Sequence, residues 1–192
     1  MNLGIFGGTF DPVHTGHLLV AEFVREKLGL DRVLLIPSRV PPHKRSLHVA
    51  PARHRVAMLR SALRGNSALA VSDVEIRRAG VSYTADTLAE LRLRHGSDRL
   101  FLLIGMDNAG EFAHWKNPDE ILRLATVVVM TRPGFSRGSL RASEGRFFLF
   151  CRVPEVAISS REVRRRVKAS ESIRYMVPAS VEAYIKRHRL YR

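Results

Sequence analysis

Hydrophobic residues along the chain alternate between short unbroken runs and stretches spaced by three and four. Asn2 to Phe6, Arg32 to Ile36 (RVLLI), Leu100 to Ile104 (LFLLI) and Thr126 to Met130 (TVVVM) lack the polar alternation of a half-solvated strand. They predict strands buried on both faces. Leu69 to Val71, extending toward Val74 to Ile76, and Arg146 to Phe150 predict two more. Helical spacing intervenes at Leu18, Leu19, Ala21, Val24 and Leu28, at Val56, Leu59 and Leu63, at Leu88, Leu91 and Leu93, and at Val181, Tyr184 and Ile185. Pro118 to Ala125 is a short helix with Pro, Asp and Glu in its first turn, where they are favoured. Strand, helix, strand in repetition implies right-handed crossovers and therefore a parallel sheet. The expectation is one α/β domain over residues 1–192, an open and mainly parallel sheet flanked by helices, with residues 155–192 as a small helical region.

Composition narrows this. A chain of 192 residues, 45% of them hydrophobic, can bury roughly 70% of its unfolded surface in one core. No apolar run approaches the ~20 residues that cross a bilayer, and neither a signal peptide nor a membrane partner is expected. Cys151 is the single cysteine; it excludes an internal disulfide, fits the cytoplasm, and reads as a buried inert thiol. The net charge is +14, from 32 Lys and Arg against 18 Asp and Glu. Such a charge attracts polyanions, yet the cations are spread out, and their richest cluster, Arg161 to Lys168, comes without zinc-ligand pairs or an aromatic RNA-recognition motif. Nucleic acid and phosphorylated small molecules both fit, and the charge alone decides neither.

Candidate chemistry concentrates in GIFGGTFDPVHTGHL, residues 4–18. The first strand runs into Gly7-Gly8, read as a turn, and His14 and His17 stand at the start of a helix. Free N–H groups and the positive end of the helix dipole there favour an anion. Neither G-x-G-x-x-G nor G-x-x-x-x-G-K-[ST] occurs, which excludes two common nucleotide motifs and disfavours a nicotinamide-dependent oxidoreductase. Downstream, Pro41-Pro42-His43-Lys44 follows the second strand, at the edge where open sheets bind ligands. Thr84 reads as a helix N-cap. Asp107, just after Gly105, is either a ribose acceptor or a cap. Trp115, among His114, Lys116 and Asn117, reads as a partly exposed ring suited to an aromatic carboxylate. Arg132 suits a triphosphate or solvent equally. Ile158-Ser159-Ser160-Arg161-Glu162-Val163-Arg164 brings a helix cap and Arg164 together, either as a second anion site or as a well-capped basic helix.

GGTFDPVHTGHL resembles the H-x-G-H signature of the nucleotidyltransferase superfamily, and within it the bacterial nicotinate mononucleotide adenylyltransferases. PPHK, SYTADTL, IGMDNAGEFAHWKNPDEIL and the ISS segment resemble further motifs of that family in the same order, although Arg161 stands where a threonine is usual. The resemblance implies a Rossmann-like nucleotidyltransferase fold and the reaction of ATP with nicotinate mononucleotide to deamido-NAD and pyrophosphate. It implies His14, His17 and Arg164 as catalytic residues. ATP would meet Gly7, Gly8, Thr9, Phe10, His14, Gly16, His17, Gly105, Asp107, Arg132, Ile158, Ser159, Ser160 and Arg164, and nicotinate mononucleotide would meet Lys44, Thr84, Trp115 and Lys116. Mg²⁺ would be held mainly by the ATP phosphates. A homo-oligomer is compatible with the sequence, and no nucleic-acid partner is expected. The alternatives are a nicotinamide mononucleotide or phosphopantetheine adenylyltransferase and, from another class, a basic nucleic-acid-binding module.

Overall fold

The computed structural model describes residues 1–40, 49–131 and 147–192. In chain order these form β1 (Asn2–Gly8), α1 (Thr15–Lys27), β2 (Arg32–Pro37), α2 (Ala52–Ala62), β3 (Leu69–Val71), α3 (Val74–Arg77), α4 (Thr84–His95), β4 (Arg99–Gly105) and α5 (Met106–Gly110). A 3₁₀ turn (Phe112–His114) follows, then α6 (Pro118–Leu124), β5 (Thr126–Thr131), β6 (Phe148–Arg152), α7 (Ser160–Lys168) and α8 (Ala179–Arg187). The strands form one sheet in the order β3-β2-β1-β4-β5-β6, and every pairing is parallel.

Unbroken apolar runs are needed because both faces are covered. Val33, Leu35, Phe101, Leu103, Val128 and Met130 turn to one face, where they meet Ala21 and Val24 of α1, Met58 and Leu59 of α2, Val163 of α7 and Val181 and Ile185 of α8. Leu3, Ile5, Leu34, Ile36, Leu102, Ile104, Val127 and Val129 turn to the other, under Val74 of α3, Leu88 and Leu91 of α4, Ala109 of α5, and Ile121 and Leu124 of α6. Alternate residues thus pack in opposite directions, each fully buried aliphatic side chain contributing about 1.5–3 kcal/mol.

The strand order reverses between β1 and β4. Chain segments leave these two strands toward opposite faces, opening a crevice at their C-terminal ends, where open α/β sheets hold ligands. The β1–β4 ladder is formed from Asn2↔Arg99 to Ile5↔Leu102 and stops short of Gly8 and Gly105. No helix among the described residues is long and apolar enough to cross a membrane.

Three local expectations are corrected. Val74 to Ile76 does not extend β3 but forms α3, in which Arg77 reaches back one turn to Asp73 and Val74 drops into the second core. Gly7 and Gly8 belong to β1, and the chain turns at Phe10, with φ 49°. The N-cap of α4 is Tyr83, leaving Thr84 as its first residue.

Candidate active site

The turn after β1 is built around a buried ring. Phe10 is 2% exposed and stands edge-on to Phe6 at 5.8 Å and to His17 at 5.0 Å. A Cβ on Gly8 would lie 2.9 Å from Phe10 Cζ. Glycine is therefore required here for space, not for backbone freedom. Beneath the turn lies Arg55 of α2, 1% exposed, donating from Nη1 to the Thr9 carbonyl and from Nε to the Ala50 carbonyl, each at 2.9 Å. Burial pulls this guanidinium down from its ordinary value, opposed by the Asp11 carboxylate.

His14 is the N-cap of α1, and His17 lies in its first turn. Their rings stack with centroids 3.6 Å apart and planes 26° from parallel. The backbone N–H of His14 donates to His17 Nδ1 at 3.2 Å, which assigns the His17 proton to Nε2. His14 is buried, and desolvation lowers it to about 4, so its imidazole is neutral near pH 7. Its Nδ1 is buried without a hydrogen-bond partner among the described residues. Gly16 admits this stack, since a Cβ there would meet His14 Nδ1 and Val156 Cγ1, both at 3.1 Å. One of the helix N–H groups expected to be free is occupied: Thr15 N–H donates to the Met176 carbonyl at 2.9 Å.

The ISS segment docks on the same turn. Ser159 caps α7 by accepting from Glu162 N–H at 3.2 Å, and Ser160 Oγ donates to the Pro12 carbonyl at 2.9 Å. Arg164 Nη1 donates to the Asp11 carbonyl at 2.6 Å and lies 3.8 Å from Asp11 Oδ2. Ile158 packs against the first core. Across the crevice, Gly105 is the N-cap of α5 and Asp107, in the first turn of that helix, is exposed.

A second recess, of about 160 Å³, is lined by Ser82, Tyr83, Thr84, His114, Trp115, Lys116 and Ile121. Trp115 is half-buried, tilted against Phe112 at 5.5 Å, and its buried Nε1 has no partner among the described residues. Lys116 Nζ lies 4.7 Å from the Tyr83 ring and 3.1 Å from Asp86, so its ammonium is engaged at the rim. Two hydrogen bonds join the recess to the turn. Ser38 N–H donates to the Gly8 carbonyl at 3.0 Å, and the next residue, Arg39, donates its N–H to Ser82 Oγ at 2.9 Å. A larger groove of about 590 Å³ between α1 and α2 contains none of the sequence-predicted site residues. His43, Lys44 and Arg132 lie outside the described residues.

The cytidylyltransferase-like family model matches residues 5–166. A probable nicotinate-nucleotide adenylyltransferase of Thermomicrobium roseum is 45% identical, over 99% of this chain and 91% of its own. Another, from Thermus thermophilus, is 44% identical over the whole of both chains. The chain belongs to the nicotinate-nucleotide adenylyltransferase family. In fold it also matches the Plasmodium falciparum nicotinic acid mononucleotide adenylyltransferase complexed with NaAD, with a TM-score of 0.80 at 18% identity over 99% and 97% of the two chains.

In this adenylyltransferase family member the residue pattern singles out neither Arg55 nor Tyr191, and Asp11 stands inside GGTFDPVHTGHL without a role of its own. Arg55 lies inside an RHR triplet that reads as solvated surface, and Tyr191 follows a helix whose spacing at Val181, Tyr184 and Ile185 marks only a packing face. The three meet through folding alone: Tyr191 Oη donates to Asp11 Oδ1 at 2.7 Å, and Ala50 N–H donates to the same oxygen at 3.3 Å.

Proposed function

We propose that this protein transfers the adenylyl group of ATP to nicotinate mononucleotide, giving deamido-NAD and pyrophosphate. The observation that carries the choice of acceptor is the recess between the start of α4 and Trp115. An aromatic wall with unsatisfied Trp115 Nε1 and the N–H groups opening α4 suits a flat ring bearing an anion. The bonds from Ser38 N–H to the Gly8 carbonyl and from Arg39 N–H to Ser82 Oγ support one frame for the acceptor site and the HTGH turn.

In this reaction a phosphate oxygen of the mononucleotide attacks the α-phosphorus of ATP. One P–O bond forms, the bond to the β-phosphate breaks, and pyrophosphate leaves. No protein nucleophile is needed, and catalysis consists of orientation and charge stabilisation. His17 fits the α-phosphate, because acceptance at Nδ1 leaves Nε2–H as its donor. His14 contributes as a neutral ring that braces His17 by stacking. Gly7, Thr9 and Phe10 form the bend at the strand end where phosphate would approach, Gly8 and Gly16 serve it by making room for the Phe10 ring and the His14 stack, and Asp107, in the first turn of α5, would meet the ribose. Ser160 and Arg164 border the turn on the side assigned to the β- and γ-phosphates, and Arg132 and Lys44 complete the proposed contacts. Thr84 and Lys116 serve the nicotinate carboxylate through their backbone N–H groups. Among the described residues no three His, Cys, Asp or Glu side chains converge as a metal cage. Mg²⁺ would accompany the triphosphate and help neutralise its oxygens. The single cysteine, Cys151, supports a cytoplasmic setting.

The test is pyrophosphate release with ATP and Mg²⁺, comparing nicotinate mononucleotide with nicotinamide mononucleotide. Preference for the acid is expected. Preference for the amide would remove the carboxylate argument, and release with neither would overturn the reaction.

A further inference from the structure

We propose that Tyr191 is a positioning residue of the phosphate site, acting through Asp11 to keep Arg164 available to ATP; the proposal rests on the ATP site described above.

Asp11 is 3% exposed, and its carboxylate faces several donors. Oδ1 accepts from Tyr191 Oη at 2.7 Å and from Ala50 N–H at 3.3 Å. Oδ2 is 3.8 Å from Arg164 Nη1, a loose ion pair, because that nitrogen donates instead to the Asp11 carbonyl at 2.6 Å. The buried Arg55 guanidinium is spent on the carbonyls of Thr9 and Ala50. Among the described residues Tyr191 is thus the side chain that donates a hydrogen bond to the carboxylate, and Arg164 is the cation standing 3.8 Å from its other oxygen.

Tyr191 is delivered by a bend in the chain. After α8, Arg189 takes φ 50° and Tyr191 φ 65°, left-handed values uncommon for residues with a Cβ. Leu190 N–H closes the helix end on the Ile185 carbonyl at 3.1 Å, and Leu190 packs against the first core. Burial and the neighbouring carboxylate hold the phenol well above its ordinary value, so it remains a donor.

With the phenol in place, Asp11 does not need the Arg164 guanidinium, which stays 35% exposed at the edge of the turn. Without it, a buried carboxylate oxygen is left short of a donor, and such a group recruits the nearest cation. Arg164 would close from 3.8 Å onto Oδ2 and be withdrawn from the triphosphate.

The experiment is steady-state kinetics of Tyr191→Phe, Arg164→Ala and the double variant, with melting temperatures for each. Tyr191→Phe should raise the KM for ATP about tenfold and leave the KM for the mononucleotide unchanged. In the Arg164→Ala background the same change should have no further effect on the KM for ATP, because its target is gone. An unchanged KM for ATP in Tyr191→Phe would overturn the proposal. So would a rise of equal size in the Arg164→Ala background, or a parallel loss for both substrates with a lowered melting temperature, as a purely structural role requires. Failure of the wild-type protein to release pyrophosphate would instead overturn the ATP site itself, and the proposal with it.

Discussion

Replacing Arg55 by methionine removes a cation that solvent never reaches. The side chain is 1% exposed, Asp11 beside it is 3% exposed, and two carbonyls, of Thr9 and Ala50, lose their donors. Methionine fills the stem volume but supplies neither charge nor N–H. Removing one partner of a buried charged network costs about 3–5 kcal/mol, because the two carbonyls stay desolvated without donors and the Asp11 carboxylate loses a neighbouring cation. In a chain of this size each kcal/mol shifts the melting temperature by about 2–4 °C. A loss of about 4 kcal/mol should therefore lower it by about 8–16 °C. Urea unfolding of wild type and Arg55→Met, each fitted with its own slope, measures this directly. The double variant Arg55→Met/Asp11→Asn should recover part of the loss by removing the stranded charge. A fall below about 3 °C for Arg55→Met would mean that water or another cation reaches the network, and the argument would be wrong.

Two further substitutions probe the turn. Gly8→Ala places a methyl 2.9 Å from Phe10 Cζ, in a ring boxed by Phe6 and His17; kcat/KM should fall by about ten- to a hundredfold as His17 shifts. Wild-type kcat/KM would show that the ring yields without moving the histidine. His14 gives a pH signature, since burial holds it at about 4 against an ordinary 6.5. Above pH 6.5 its contribution to stability is complete; as pH falls toward 4 the unfolded chain binds a proton that the native state refuses, and about 3 kcal/mol is lost. His14→Gln should flatten that decline in urea midpoints between pH 7 and 4.5, and equal declines in both proteins would refute the assignment.

The long strands were legible because burial on both faces writes itself as runs such as LFLLI and TVVVM, and their order predicts the parallel sheet. The error at β3 arose where Val74 and Ile76 continue an apolar pattern that one helical turn satisfies equally well. At Gly7-Gly8 the expected turn failed because Gly8 is required to make room for an aromatic ring, while the positive φ falls on Phe10, a residue type that does not announce it. HTGH and the ISS segment were visible as anion-binding patterns, but not their contact through Ser160 and Arg164. The recess at Trp115 was anticipated as a ring beside a cation. Asp86 and Tyr83, which occupy that cation, come from another helix start and carry no local signal.

The Asp11 contacts also bear on how the protein comes into being. Arg164 is 153 residues downstream of Asp11 and Tyr191 is 180. At a synthesis rate of about 5–20 residues per second, roughly ten to forty seconds separate emergence of the turn from emergence of its last partner. During that interval β1, β2 and β3 can pair, but the edge of β1 that belongs to β4 waits until residue 99 is made. The nascent protein therefore holds an open strand edge, and the Asp11 carboxylate, although Arg55 is already made, gains its phenol donor and the Arg164 cation only when nearly the whole chain has left the ribosome. Interrupted products would carry HTGH without the arginine and the phenol that complete its surroundings, so a prematurely terminated chain should be unable to handle ATP.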